Sequence, residues 1–258
     1  MDSKVNLKKF YSSYDDSNLE KVIKGSLTKI KDPAIKNSVT GFLKRIYHKE
    51  YLNVEWENLS KLKRYDFINK ALSLYDVNTV KYLEVGVFTN KTFETIRAKN
   101  KISVDPDPGS YPTFLGTSDE FFNQNNEKFD VIFIDGLHHY DQCQADAINS
   151  LKCLNKNGFI FFHDFIPRNF LEEYVPRRNE LWTGDCWKVS IELAKTAGIE
   201  FKVILADHGV GMVRKLSENT NYFSEDTTKL KHLRFKDFLE LNESVHYQNA
   251  DLAYESIK

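Results

Sequence analysis

Apolar residues recur along this chain in two periods, and the switching between them sets the expected fold. From Val80 to Asp105 the sequence VKYLEVGVFTNKTFETIRAKNKISVD reads as a buried strand (Val80 to Val85), a tight turn at Gly86, a helix through about Lys99 and a second strand (Ile102 to Val104) ending on Asp105. FDVIFIDG (Phe129 to Gly136) and GFIFFHDF (Gly158 to Phe165) are nearly continuous β-branched and aromatic runs, the pattern of strands covered on both faces. Between them a helix from about Asp141 to Leu154 places Cys143, Ala147, Ile148, Leu151 and Leu154 on one side, with Asn157-Gly158 as its stop. A short strand is expected at Thr113 to Leu115. Asp185 is placed to cap the helix CWKVSIELAKTAG, which Gly198 ends, and FKVILAD and VGMVRK form an antiparallel hairpin around His208-Gly209.

Before this region, Asp32-Pro33 predicts a capped helix running to about His48, and Leu62, Tyr65, Ile68, Ala71 and Leu72 predict a second one from about Ser60 to Tyr75. These helices either pad one edge of the sheet or serve as a lid or as the arm of a homodimer. After it, residues 217–258 read as a polar linker and one amphipathic helix carrying Leu230, Leu233, Phe238 and Leu241. The expected organisation is a helical N-terminal extension (1–77), a core (78–216) and a C-terminal linker with helix (217–258).

Strands alternating with helices imply an α/β fold, with a mostly parallel, Rossmann-like sheet covered on both faces. In such sheets ligands bind beyond the carboxyl ends of the strands. Glu84, Asp105, Asp135 and Asp164 all fall at those ends. Composition narrows the function classes. Thirty-six Lys and Arg against 37 Asp and Glu give a formal charge of -1, so no global field draws in nucleic acid or an anionic membrane. No apolar run approaches a membrane span and no signal core opens the chain, which predicts a cytoplasmic protein. Cys143, Cys153 and Cys186 lack metal-type spacing and read as reduced thiols.

The turn at Glu84-Val-Gly86 departs from the dinucleotide pattern. GxGxxG needs two further glycines so that a pyrophosphate can approach the helix, and Val87, Phe88 and Asn90 stand here instead. NAD is disfavoured. A ligand with an amine and a sulfonium, such as S-adenosylmethionine, welcomes a carboxylate beside the turn. Asp135 and Asp164 end strands that should be neighbours, close enough for the two carboxylates to share a hard divalent ion or to bond ligand and loop amides.

The motifs LEVGVFTNKT, ISVDPDP, FDVIFIDG and GFIFFHDF together resemble the class I S-adenosylmethionine-dependent methyltransferases over residues 78–215. IDGLHHYDQCQADA followed by HDF is similar to the branch of macrocin-type sugar O-methyltransferases and of methyltransferases from bacterial surface-polysaccharide clusters. The resemblance implies a seven-stranded sheet and an O-methyltransferase acting on a sugar hydroxyl. The acceptor would be a nucleotide-linked or glycosidic sugar of capsule, surface-polysaccharide or natural-product biosynthesis. A cofactor-binding module without catalysis and a methyltransferase of non-sugar small molecules are the alternatives. A nucleic-acid methyltransferase is disfavoured, because IDGL stands where an NPPY-type tetrapeptide would.

Carried over by position, Glu84, Gly86 and Val87 line the methionine and ribose side of the cofactor, and Asp135 and Gly136 are further cofactor-binding residues. Asp105 accepts from the ribose, and Ser118 and Asp119 lie near the adenine. His138 matches the histidine proposed as general base, with His139 able to exchange roles and Asp135 completing the catalytic set. A magnesium ion at Asp135 and Asp164 is implied, its third ligand missing because Phe165 replaces an acid. From the long loop, Arg168, Arg177, Arg178 and Trp182 suit a sugar face and a phosphate. A solvated loop whose aromatics pack on the core is the plainer alternative.

Overall fold

Eight strands build one sheet in the computed structural model, which describes residues 12–13, 27, 31–39, 52–53, 60–178 and 180–258. They are β1 (Lys81–Val85), β2 (Asn100–Asp105), β3 (Phe114–Leu115), β4 (Phe129–Ile134), β5 (Leu154–Phe162), β6 (Ile199–Leu205), β7 (Val210–Lys215) and β8 (Tyr247–Asn249). Their spatial order is β3-β2-β1-β4-β5-β7-β6-β8, and within the sheet only β7 runs antiparallel to its neighbours. The chain leaves β1 toward β2 and β3 on one side and returns to β4 and β5 on the other. A crevice therefore opens between the carboxyl ends of β1 and β4. Ser12–Ser13 and Leu52–Asn53 form a separate two-residue pairing.

The helices are α1 (Arg64–Leu72), α2 (Lys91–Thr95), α3 (Ser118–Gln124), α4 (Tyr140–Cys153), α5 (Phe170–Glu173), α6 (Trp187–Leu193), α7 (Thr227–His232), α8 (Phe235–Glu240) and α9 (Ala250–Ser256). Strand periodicity sorts them onto two faces. Leu83 and Val85 of β1 join Ile132, Ile134, Ile160 and Phe162 in a core shared with α4, α6 and α8. Tyr82 joins Val131, Phe133, Phe159 and Phe161 under Phe67, Ile68, Ala71 and Leu72 of α1 and Ala250 and Ala253 of α9. The second N-terminal helix thus covers a face of the sheet rather than its edge. Asp32 caps the helical stretch 33–39 through its side chain, which accepts from Ala34 N at 2.8 Å. The rest of the first predicted helix lies outside the described residues.

Three expectations change. The sheet has an eighth strand: β8 pairs in parallel with the open edge of β6, and the segment expected as linker and one helix holds α7, α8, β8 and α9. Leu230, Phe235, Phe238 and Tyr247 are buried there, so the segment is part of the core. The helix after Gly86 stops at Thr95, and Ile96 is extended and buried. Finally, α4 ends at Cys153 and enters β5 directly, Asn157-Gly158 falling inside the strand. Among the described residues no helix is long and apolar enough to cross a membrane.

Candidate active site

A cavity of about 620 Å³ occupies the crevice, bounded by the ends of β1, β2, β4 and β5 and by the loop that follows β5. Its floor is the Gly86 turn. Gly86 has φ +83°, and a Cβ there would lie 2.2 Å from the Asp135 carbonyl oxygen, so the β1 and β4 crossings touch backbone to backbone. Asp105 ties this turn to β2: Oδ2 accepts from Val87 N at 2.9 Å and Phe88 N at 3.1 Å, and Oδ1 accepts from Asp107 N at 2.8 Å. Asp105 also lines the cavity, and with one donor on Oδ1 that oxygen has capacity for another. Asn90 takes the left-handed conformation, φ +60°, as the missing glycine demands.

Ser118, Asp135, Gly136, His138, Asp164, Arg177 and Trp182 also line this cavity. Six other predicted residues do not. Glu84 points into the α1 face, 1% exposed, where Oε2 accepts from the Tyr82 hydroxyl at 2.6 Å. Val87 is buried beneath the turn. The Asp119 carboxylate accepts from Gln142 Nε2 at 3.2 Å outside the wall. His139, the N-cap of α4, lines a separate cavity of about 210 Å³ with Asp185, Lys231 and Arg234. In the loop, Arg168 is held by the buried Glu172 (Nε to Oε1 2.8 Å), and Arg178 lies over Tyr174, its guanidinium carbon 5.5 Å from the ring centroid. Arg177 instead lies over Trp182 at 5.9 Å.

Burial raises the Glu84 carboxyl to about 8; the Tyr82 hydroxyl opposes this and Asp135 adds to it. The folded protein therefore holds this proton up to about pH 8, whereas the unfolded chain releases it near its ordinary 4.5. Between those values folding takes up a proton, so stability falls as pH rises. Glu84→Gln keeps the shape without the titration. In urea unfolding, its stability relative to the native sequence should improve from pH 5 to pH 8, by at most about 1.4 kcal/mol per unit. A difference that stays flat with pH would mean that Glu84 is ionised in the fold.

His138 stands at the centre of the chemistry-bearing groups. Nε2 faces Asp135 Oδ1 at 3.4 Å, Nδ1 faces Asp164 Oδ2 at 3.3 Å, and Nδ1 lies 2.8 Å from the Trp182 carbonyl oxygen. The Trp182 ring stacks on the imidazole at 5.3 Å and 29°. Burial disfavours charge on His138, but Asp135 and Asp164 outweigh it and push its pKa up to about 10. Conversely, burial would raise the Asp135 carboxyl, yet His163 and His138 hold it well below the carboxylate range. His163 completes the cluster, Nδ1 lying 3.3 Å from Asp135 Oδ1 and 3.1 Å from Asp164 Oδ1. The long loop is seated on this group, because Asp185 N donates to the His138 carbonyl at 3.2 Å and Asp185 Oδ1 accepts from Tyr140 N at 2.7 Å. Asp185 thus caps α4, not the helix that follows it in sequence.

Sequence reasoning missed Gln142, whose amide reaches Ser118 Oγ at 3.0 Å and Asp146 Oδ1 at 3.1 Å across the cavity wall. It also missed Phe88, which lines the cavity while 82% exposed at φ +45°. An aromatic residue where a glycine is common was the only available signal for it.

Residues 86–165 match a family model described as a methyltransferase domain. No curated protein sequence matches the chain. Among solved structures, an O-methyltransferase from Bacillus cereus in complex with S-adenosylhomocysteine is 12% identical, with 76% of this chain and 99% of that chain covered and a TM-score of 0.43. A methyltransferase from Podospora anserina bound to the same molecule is 16% identical, with 72% and 97% covered and a TM-score of 0.45. An O-methyltransferase from Streptomyces achromogenes involved in tomaymycin synthesis, in complex with S-adenosylmethionine, is 10% identical, with 80% and 92% covered and a TM-score of 0.43.

Proposed function

We propose that this chain, which carries a methyltransferase domain, is an S-adenosylmethionine-dependent O-methyltransferase. Its acceptor is a sugar hydroxyl, nucleotide-linked or glycosidic, of bacterial surface-polysaccharide or natural-product biosynthesis. One observation carries the reading: the Gly86 turn with Asp105, and His138 between two acids, line the same cavity. S-adenosylmethionine, when bound, supplies an electrophilic methyl carbon on a sulfonium. Asp105 has an oxygen able to accept from a ribose hydroxyl, since Oδ1 meets one donor, Asp107 N. His138 reaches the same space with a ring nitrogen able to take a proton from an acceptor hydroxyl. Arg177 and Trp182, at the rim, offer a cation and an aromatic face to a phosphate and a sugar ring.

The reading is tested by offering purified protein and methyl-labelled S-adenosylmethionine to a panel of nucleotide sugars, with calorimetry of S-adenosylhomocysteine and NAD alongside. Label transfer to a sugar hydroxyl is expected. Binding of NAD without S-adenosylhomocysteine would refute the donor assignment, and transfer confined to non-sugar acceptors the acceptor assignment.

The residues also fit a divalent ion. Asp135, His138 and Asp164 each offer a ligand atom within 4.8 Å of the others, and two carboxylates on adjacent strand ends suit magnesium. Asp135 and Asp164 would hold it, leaving His138 free as base, and a bound ion would lower the pKa of the acceptor hydroxyl. Chelation should abolish turnover and magnesium restore it. Asp164→Asn should lose the protein-bound Mn²⁺ signal in electron paramagnetic resonance while still binding S-adenosylhomocysteine; an unchanged signal would place the ion elsewhere.

A further inference from the structure

We infer that Leu137 selects the acceptor by presenting an apolar shelf beside the base, and that the sugar it fits is a deoxysugar. Such a sugar carries a hydrogen or a methyl group, in place of a hydroxyl or hydroxymethyl group, next to the hydroxyl that is methylated. The inference narrows the sugar-acceptor reading above and rests on it.

Leu137 stands between Gly136 and His138, and all three line the same cavity. It follows β4, on the side of the base, whereas the Gly86 turn follows β1 and Asp105 ends β2. The residue is 54% exposed and belongs to neither of the two apolar cores. A single open leucine is ordinary on an outer surface. This one is on a cavity wall one residue from the base, where a bound molecule would take its apolar area out of water. Backbone hydrogen bonds, rather than packing, fix the shelf in place. His139 N donates to the Leu137 carbonyl at 2.8 Å, closing a tight turn, and the His138 carbonyl accepts from Asp185 N at 3.2 Å. The stretch 136–138 therefore offers one polar side chain, His138, and that one serves the reacting hydroxyl. A neighbouring hydroxyl pressed on Leu137 would give up water and gain no partner, whereas a hydrogen or a methyl group there gains apolar contact.

The test measures methyl-label transfer from S-adenosylmethionine to UDP-galactose, GDP-mannose and dTDP-glucose, and to the 2-deoxy and 6-deoxy form of each. The full chain is compared with Leu137→Asn, of nearly the same size but able to hydrogen-bond, and with Leu137→Met, which keeps the apolar shelf. Native protein should use a deoxy form with kcat/KM about 10–100-fold above that of its parent. Leu137→Asn should bring the ratio to within about threefold of one, through the KM of the deoxy form, with S-adenosylhomocysteine affinity within about twofold of native. Leu137→Met should keep the ratio. Leu137→Ala, which removes the shelf without adding a polar group, should also reduce it, and it carries the test if the asparagine variant melts early. A native preference for the parent sugars, or a ratio unchanged by removal of the shelf, would overturn the inference. Transfer to none of these sugars, in protein that still binds S-adenosylhomocysteine, would instead remove the sugar-acceptor reading on which it rests.

Discussion

Gly86→Ala is expected to cost about 2–5 kcal/mol of stability in urea unfolding and to abolish measurable S-adenosylhomocysteine binding. Two separate terms produce this. At φ +83° an alanine pays for the left-handed conformation, about 1–2 kcal/mol. Its Cβ would then sit 2.2 Å from the Asp135 carbonyl oxygen, 2.5 Å from the Asp135 carbonyl carbon and 2.7 Å from Gly136 Cα. Those atoms are backbone and cannot rotate away, so the β1 and β4 crossings must separate at the point where the crevice forms. Gly136→Ala, on the other side of this contact, is the control. Its Cβ would meet Val85 Cγ1 at 3.5 Å and Asp146 Oδ2 at 3.8 Å, which are ordinary contacts. If the two variants lose stability and binding equally, the close crossing at Gly86 is not what shapes the site.

The legible part of the fold was the part that repeats. β1, β4 and the last five residues of β5 are buried on both faces, and such strands announce themselves as apolar runs. Their acids fall at one edge because parallel strands all end on the same side. β8 was not legible: three residues form a strand only because the edge of β6 offers them unpaired groups, a fact that lies more than forty residues away in sequence. For the same reason α7 and α8 read as a single amphipathic helix. Their apolar residues share one core, and the turn between them at Leu233-Arg234 is capped by Asp237, which accepts from Arg234 N at 2.7 Å.

At the site, strand-end position told which residues gather at the crevice but not which way each side chain turns. Glu84 follows Leu83 on a strand of period two, so it faces α1 with Tyr82 rather than the cavity. His138 and His139 are adjacent in sequence, and the chain turn into α4 sends them to different cavities. Arg168 and Arg177 have the same side chain on the same loop; the buried Glu172 takes one and the Trp182 ring receives the other.

His138→Ala should lower turnover by about 10²–10⁴-fold while leaving S-adenosylhomocysteine affinity within a few-fold of native. The imidazole is positioned from three sides: Trp182 stacks on it, the Trp182 carbonyl accepts from Nδ1 at 2.8 Å, and Asp135 faces Nε2. With Nδ1–H held by that carbonyl, Nε2 is the nitrogen that gains and loses the proton. Its pKa of about 10 reflects the Asp135 and Asp164 carboxylates that face it, which outweigh the effect of burial. A base works only unprotonated, so kcat/KM should rise with pH toward that value. Positive charge brought in by the donor disfavours imidazolium, and the rising limb of kcat should therefore lie at lower pH than that of kcat/KM. His139→Ala is the matched control, because that ring meets Trp182 edge-on at 5.7 Å from the other cavity and should leave turnover near native. Near-normal turnover in His138→Ala, or a loss in His139→Ala as large, would take the base away from His138, because the two rings share a neighbour but only one of them shares a cavity with Asp105 and Gly86.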